Sequence, residues 1–458
     1  MTSPVVLALD PVPDPLAALE RFAARASPIL LHSAAPLHPL SRHSYLAADP
    51  VATLLRGADA WPEVADVIRQ SFTAPIPIQT ELPPFQGGWA GWLGYELGQA
   101  FDTMHCASGR GSGTPDVALA LYDWVIAWDH AEDRAWLVST GSDARGNRDP
   151  GRAVARARAA LSILTGAGAA APAGSSRQPG PASATRADFT PDGYRAAVAT
   201  VVEHVRAGDI FQANISQRFV HDGPVDPVQL YRALMARSPA PMAAYITHEP
   251  HHALSVSPER FLRYTPTTRE IETRPIKGTR PRGATPVEDA ALARELEGSE
   301  KDRAENVMIV DLMRNDLARV AVTGTVEAAA VCALETHPTV HHLVSTVTAR
   351  LRPGLDALDL LAATFPGGSV TGAPKLRAME VIASVEPVRR GIYCGAIGWI
   401  GLDGALDTSI AIRTITVEGE TASYHAGGGV TVLSVPQAEY LETLDKARAL
   451  ADALAEAG

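Results

Sequence analysis

The spacing of apolar and polar positions changes period repeatedly along this chain. Gly87-Gly88-Trp89-Ala90-Gly91-Trp92-Leu93-Gly94-Tyr95 reads as a glycine-interrupted strand, and Val117 to Trp128 is strand-like. Arg152 to Leu164 carries Val154, Ala157, Leu161 and Leu164 at helical spacing. Farther on, Tyr194 to Ala207 predicts an amphipathic helix with Val198, Val201, Val202 and Val205 on its apolar side. Ala253 to Tyr264 predicts a strand and Ser299 to Val320 a long helix. A strand from Ala422 to Ala426 is expected to meet a glycine run and then a second strand, Val430 to Leu433. Ser434 with Gln437 three residues later predicts a capping-box start for a last helix, whose apolar face ends near Leu454. The tryptophans of the first part are expected in the core.

This alternation is not a regular βαβα series, and no GxGxxG follows a strand, so a doubly wound nucleotide-binding sheet is disfavoured. An α+β fold with large, mainly antiparallel sheets is expected. One segment stands apart. From Thr165 to Thr185 the chain is almost wholly Gly, Ala, Pro, Ser and Thr, with Arg177 its one charged residue. It cannot bury enough apolar surface to offset its ordering entropy and reads as a flexible loop or linker. The expected organisation is an N-terminal region 1–165, a linker 166–187 and a catalytic region 188–458.

Composition narrows the class without selecting a function. Of 458 residues, 46% are hydrophobic and 20% charged, close to globular averages. No apolar run approaches the ~20 residues of a membrane span, and Met1 to Asp10 has no basic flank, so no signal peptide is expected. Cys106, Cys332 and Cys394 are scattered and odd in number, which argues against a disulfide framework or a cysteine zinc site and suits the cytoplasm. The net charge of −11 makes nucleic acid and acidic membrane poor partners. An anionic metabolite would have to be held by a few well-placed cations.

Four clusters have unusual composition. On the last helix, Glu439, Glu442 and Lys446 share one face. Alone they read as a solvated face, but Glu305 supplies a second acidic position where the sequence turns apolar, Val307-Met308-Ile309-Val310. A carboxylate entering an apolar helix must be paired or metal-bound. Two carboxylates from separate helices with few other ligands suit Mg²⁺. Second, Ala426-Gly427-Gly428-Gly429 would let backbone N–H groups cradle a small anion, although a tight turn between strands explains it equally well. Third, Phe365-Pro366-Gly367-Gly368-Ser369-Val370-Thr371-Gly372-Ala373-Pro374-Lys375 is a glycine-rich loop leading into a helix but lacks phosphate-loop spacing. Fourth, Arg274-Pro275-Ile276-Lys277-Gly278-Thr279-Arg280-Pro281-Arg282 sets Lys277 among three arginines. These are either ordinary edge-strand cations or crowded charge that depresses the lysine pKa and supplies a neutral amine.

Taken in order, through nearly all of residues 190–450, these segments resemble the family of chorismate-utilising enzymes, which includes anthranilate, aminodeoxychorismate, isochorismate and salicylate synthases. A weaker match extends to Leu30-Leu31-His32-Ser33 and Ser41-Arg42-His43-Ser44-Tyr45. The resemblance implies a β-sandwich-like core wrapped by helices, with both halves of the chain in one body. It implies Mg²⁺ on Glu305 and Glu442, supported by Glu439 and Lys446, bridging to the ring carboxylate of chorismate. Arg413 and the amides of Gly427, Gly428 and Gly429 would hold substrate carboxylates, and Tyr393, Thr279 and Ser369 would line the pocket. His342 matches the family's pocket histidine, with His341 adjacent in the same motif, and Glu259 would act as general acid.

Two positions choose among family members. Isochorismate and salicylate synthases resemble each other in using a lysine to activate water. This chain has Gln212 at the matching place, and a neutral amide has no useful basicity. Lys277 stands where anthranilate synthases typically have alanine, and lysine there marks the members that aminate carbon 4. No cysteine sits in a glutaminase-type nucleophile turn, so a separate glutaminase subunit is implied as ammonia source. Ser33, Pro241 and Met242 match the family's tryptophan pocket, so bound tryptophan and a non-catalytic regulatory subunit are the remaining expectations to weigh. The full set of Lys277, Glu259, Glu305 and Glu442 argues for an enzyme.

Overall fold

The alternating stretches fold into two stacked antiparallel sheets. The computed structural model describes residues 3–35, 38–72, 78–109, 111–166, 185–337 and 340–457. Among these, a sheet of twelve strands runs from Val5–Ala8 through Trp124–Asp129 and Ile29–His32 to Met242–His248, His251–Ser257, Thr414–Glu418, Thr421–Val430 and Gln212–Asp222. A sheet of ten runs from Ile276–Pro281 through Val340–Arg350, Arg260–Thr265 and Ala396–Gly401 to Gly88–Leu93, Val117–Tyr122 and Ala52–Arg56. Both sheets interleave the two halves of the chain. Ile29–His32 pairs antiparallel with Met242–His248, and Gly88–Leu93 with Ala396–Gly401. Residues 167–184 of the expected linker lie outside the described residues. Arg186–Ala187, at its end, form a short strand on Gln212–Asp222, and Arg186 meets Asp222 at 3.3 Å.

Each sheet has one face against the other and one against helices, which gives an α+β sandwich. Tyr45 and Ile246 of one sheet meet Trp92, Tyr122 and Trp399 of the other in the central layer. Pro15–Phe22, Pro150–Leu164, Pro227–Arg237 and Pro436–Ala457 cover one outer face. Trp61–Ser71, Glu300–Ala318 and Ala357–Thr364 cover the other, while Pro191–Arg206 and Lys375–Val385 pack together against Gln212–Asp222. Trp89, Trp92, Trp124 and Trp128 are fully buried, as their spacing predicts. Each buries about 150–250 Å², a gross gain of about 4–6 kcal/mol before entropy is subtracted.

The helical expectations match within a few residues at each end. Ser299 caps the Glu300–Ala318 helix by accepting the Asp302 amide at 3.2 Å, and Thr190 caps Pro191–Arg206. Three expectations differ. Thr421–Val430 is one continuous strand that contains the glycine run, so no second strand follows. The last helix starts at Pro436, and Ser434 makes no capping box. It accepts from the Thr431 amide at 3.0 Å and donates to Glu439 at 2.7 Å. Each of two predicted strands is cut in two, and its halves join different sheets: Val117–Tyr122 from Trp124–Asp129, and His251–Ser257 from Arg260–Thr265. At the breaks, Asp123 in one run and Pro258-Glu259-Arg260 in the other interrupt the apolar stretches, too short a mark for spacing to show them.

A buried acid sits at each crossing. Asp123 is fully buried and held by Arg152 at 3.2 Å and Arg156 at 2.8 Å. Glu259, the acid at the other crossing, has no such pair. Asp123→Ala is expected to cost about 2–4 kcal/mol in urea unfolding, slightly under the typical loss for a broken buried pair because both arginines reach solvent.

Candidate active site

A bulge on the edge strand Ile276–Pro281 arranges the first residues of the site. Lys277 pairs with Leu343 and Thr279 with His342, leaving Gly278 over at φ 82°. A side chain at Gly278 would press on Asp302 and Leu296 at 2.9 Å. The bulge therefore needs glycine and re-aims its neighbours. It brings the Thr279 hydroxyl within 2.9 Å of His342 Nδ1. His341 turns the other way, with Nε2 2.9 Å from Asp289, so of the adjacent pair His342 faces Thr279. Burial, then His337 and Arg413, push the His342 pKa down to about 3. Its ring is neutral near pH 7 and serves as a hydrogen-bonding group.

The expected arginine crowding around Lys277 is not what the structure contains. Arg274 is paired with Glu335, Arg280 with Glu295 and Asp302, and Arg282 with Asp289. Acids on other segments hold all three arginines, so sequence proximity put these cations in the wrong place. The Lys277 pKa is still lowered, chiefly by burial and then by Lys446, against the opposing pull of Glu305, Glu259 and Glu442. Glu259, 4% exposed at the sheet crossing, is pushed up to about 7 by burial, although Ser369, Lys277 and the Ile276 backbone oppose the shift. Its neighbour Arg260 bonds Asp407 and Glu272 instead. A lysine biased toward its neutral form and a carboxyl titrating near neutrality thus share one enclosure, which favours the states needed for attack and for proton donation.

Glutamates from two helices converge beside them. Asn306, buried next to Glu305, docks its helix by donating to the Leu343 carbonyl at 3.1 Å. Gly428 faces the last helix, and a Cβ there would lie 3.1 Å from Glu442 and 3.3 Å from Glu439. Lys446 pairs with Glu442 at 2.6 Å and donates to the Gly427 carbonyl at 2.9 Å. Lys301 stands 3.9 Å from both Glu305 and Glu439. Burial raises the pKa of Glu305 and Glu439. For Glu442 burial is outweighed by Lys446, Lys301 and Lys277, which hold it low. One Glu305 oxygen is buried with no hydrogen-bond partner. A carboxylate oxygen without a hydrogen bond, 3.9 Å from Lys301 and grouped with two further glutamates, fits a hard divalent cation that keeps several waters. The expected anion nest is corrected: Gly427, Gly428 and Gly429 lie inside a strand paired with Ser216, Ile215 and Asn214. Thr414–Glu418 flanks that strand only as far as Tyr424, so beyond it one edge of the glycine run is open.

Arg413 adopts φ 51°, a left-handed conformation costly for a non-glycine residue. Burial lowers its pKa against the pull of Tyr393, and no carboxylate pairs with it among the described residues. Such a cation requires an anion. Tyr393 stacks on His425 with ring centroids 4.9 Å apart. Gln212 is buried against Gly429 with both amide atoms unpartnered among the described residues, and Asn214 Nδ2 is likewise unpartnered there. Lys301, His425 and Asn214 escaped the sequence reading, since polar residues on an otherwise ordinary helix or strand carry no local signal. Ser33, Pro241 and Met242 are together elsewhere, lining a cavity of about 700 Å³ with His32, Tyr45 and Arg260. His38, Glu335 and His337 form a tight trio of metal-ligand types. The Leu40 amide occupies His38 Nδ1, and Arg274 holds Glu335.

The chorismate binding enzyme family model matches residues 27–452. The chain belongs to the chorismate-binding enzyme family. Aminodeoxychorismate synthase component 1 of Salmonella typhimurium is 40% identical over 97% of both chains. Anthranilate synthase component 1 of Streptomyces coelicolor is also 40% identical, over 93% of this chain and 84% of its own. Anthranilate synthase component I of Streptococcus pneumoniae superposes with a TM-score of 0.75 at 30% identity, covering 89% of this chain and 92% of that one. The menaquinone-specific isochorismate synthase MenF of Escherichia coli superposes at 0.72 with 16% identity over 99% and 95%, a likeness of fold alone. Family membership makes this an enzyme acting on chorismate, and no helix among the described residues is long and apolar enough to cross a membrane.

The raised Glu259 pKa has a stability consequence for this family member. A carboxyl titrating near 7 when folded and near 4.5 when unfolded stabilises the fold fully below about pH 4.5, and that contribution fades as pH rises through 7. Glu259→Gln is therefore expected to stabilise the protein at pH 8, by up to about 3 kcal/mol, and to have little effect at pH 4.5. Thermal melts at both pH values check this.

Proposed function

We propose that this enzyme is the synthase component of an aminodeoxychorismate synthase, converting chorismate and ammonia to 4-amino-4-deoxychorismate for 4-aminobenzoate and folate synthesis. The observation that carries this reading is Lys277, whose amine burial favours in its neutral form, enclosed with Glu259. Neutral Lys277 forms a bond to ring carbon 2 as the ring double bonds shift and the carbon-4 hydroxyl departs as water with the Glu259 proton. Ammonia then bonds to carbon 4, the double bonds shift back, the carbon-2 bond breaks, and Lys277 leaves as the amine. Arg413 and the open edge of the glycine strand would hold substrate carboxylates, with Tyr393, His342, Thr279 and Ser369 fixing the ring.

Glu305 and Glu442 would hold Mg²⁺, with Glu439 and Lys446 in support, and the ion would neutralise the ring carboxylate and withdraw charge from the ring. A separate glutaminase subunit would supply ammonia. The comparable identity of anthranilate synthase relatives makes amination at carbon 2 the second reading. The 700 Å³ cavity lined by Ser33, Pro241 and Met242, whose lining does not include Lys277, supports a tryptophan site.

The deciding assay supplies purified protein with chorismate, Mg²⁺ and excess ammonium salt and resolves products by chromatography and mass spectrometry. The product expected is 4-amino-4-deoxychorismate, convertible to 4-aminobenzoate by an added lyase. Loss of Lys277 in Lys277→Ala should remove carbon-4 amination, and Glu259→Gln should slow it by about 10²–10⁴. Anthranilate as the main product, or full carbon-4 amination by Lys277→Ala, defeats the reading. Gly428→Ala should displace Glu439 and Glu442 and raise the Mg²⁺ concentration for half-maximal rate about tenfold, a loss of about 1.4 kcal/mol, read from a magnesium titration.

A further inference from the structure

Lys375 is a buried cation that no step above uses. It begins the Lys375–Val385 helix and closes the 365–374 loop. Its ammonium donates to Asp316 at 2.5 Å and to the carbonyls of Thr364 at 2.8 Å and Pro366 at 2.9 Å. All three of its N–H donors are therefore taken within the protein, so it does not contact substrate. Asp316 belongs to the Glu300–Ala318 helix, which also carries Glu305. Thr364 and Pro366 are the base of the loop whose short Gly368–Val370 turn presents Ser369 to Glu259.

The loop is seated tightly enough for such an anchor to matter. A Cβ at Gly368 would lie 2.8 Å from Leu312 of the same helix, and one at Gly367 would lie 3.4 Å from Phe261. Thr371 ties back to the carbonyls of Gly367 at 3.1 Å and Gly368 at 3.3 Å. On the far side Arg390 grips the Val370 carbonyl at 3.0 Å. Ser369 thus sits between two fixed points, and Lys375 ties the base of its loop by hydrogen bonds to the helix that bears Glu305, against which Gly368 also packs.

We infer that Lys375 is a positioning residue: its ammonium cross-links the Glu305-bearing helix to the base of the 365–374 loop and so keeps the turn that carries Ser369 beside Glu259. This rests on reading Glu259 as the acid of the site. Without the anchor the turn loosens, the hydroxyl moves away from the carboxyl, and its pull toward the carboxylate form is lost. Among the described residues, Lys277 from the edge strand, the Ile276 backbone and the Cys394 thiol are the other groups that act on or are acted on by the Glu259 charge.

The test uses the full chain with Lys375→Met, Ser369→Ala and the double variant. The Glu259 carboxyl band is titrated by infrared difference spectroscopy against Glu259→Gln, and total chorismate consumption is followed whatever the product. Because the hydroxyl favours the carboxylate, Ser369→Ala should raise the titration midpoint. Lys375→Met should raise it equally, with no further rise in the double variant. The kcat should fall about tenfold in each single variant, within the range for small misplacements, with KM changed less than threefold and no further loss in the double. An unchanged midpoint in Lys375→Met, or effects of the two substitutions that multiply, overturns the inference. If Lys375→Met does not fold, Asp316→Asn, which removes the partner charge at constant shape, is held to the same criteria. The infrared midpoint reads the anchor without reference to the reaction, whereas retained turnover in Glu259→Gln would count only against the acid role.

Discussion

Arg390 is enclosed on every side, and the chamber is built around satisfying its charge. Its guanidinium bonds both oxygens of Glu386 at 2.8 and 2.9 Å and the carbonyls of Val370 and Asn214 at 3.0 and 2.6 Å. It lies 4.6 Å from the Tyr95 ring and 5.8 Å from the Tyr393 ring. Glu386 in turn accepts the amide and hydroxyl of Ser216, and Glu96 accepts the amides of Arg390 and Gly391. Leaving any of these unmade would expose a buried charge to a penalty of several kcal/mol. The network therefore fixes, at once, the strand opposite the glycine run, the turn with Ser369, the position of Tyr393, and a segment of the N-terminal half.

Buried ionisable groups in this protein divide into two kinds. Asp123, Arg390 and Lys375 have every strong partner they need, and they join elements that would otherwise slide. Glu259, Arg413 and one oxygen of Glu305 lack such partners, and the Lys277 amine is disfavoured as a cation by its own surroundings. The fold tolerates that second group because the first is fully satisfied. Sites that hold unpaired polar groups cost stability and gain chemistry, since the missing partner is what a ligand supplies. The two sheet crossings show the contrast at the same structural position: Asp123 is clamped by two arginines, while Glu259 is left to titrate near neutrality.

Motif order along the C-terminal region already pointed to the family, and local periodicity placed the Glu300–Ala318 helix and the helices near residues 150–164 and 191–206. Those features depend on near neighbours, which spacing records faithfully. The identity of Lys277, Glu259 and the three glutamates was legible because residue type limits chemistry. What spacing misread were quantities set across the chain. Asp123 and Pro258-Glu259-Arg260 interrupt their apolar runs so briefly that the sheet crossings were not legible from spacing. Arg274, Arg280 and Arg282 flank Lys277 in sequence yet are each drawn away by acids from other segments. The glycine run reads as a turn but is a strand, because glycine is what lets Glu439 and Glu442 approach its face. The sequence by itself determined the family, the helices and the reactive residue types. Only the tertiary structure decided which charges meet, because desolvation and pairing depend on groups far apart in the chain, and those terms set the protonation of Lys277 and Glu259.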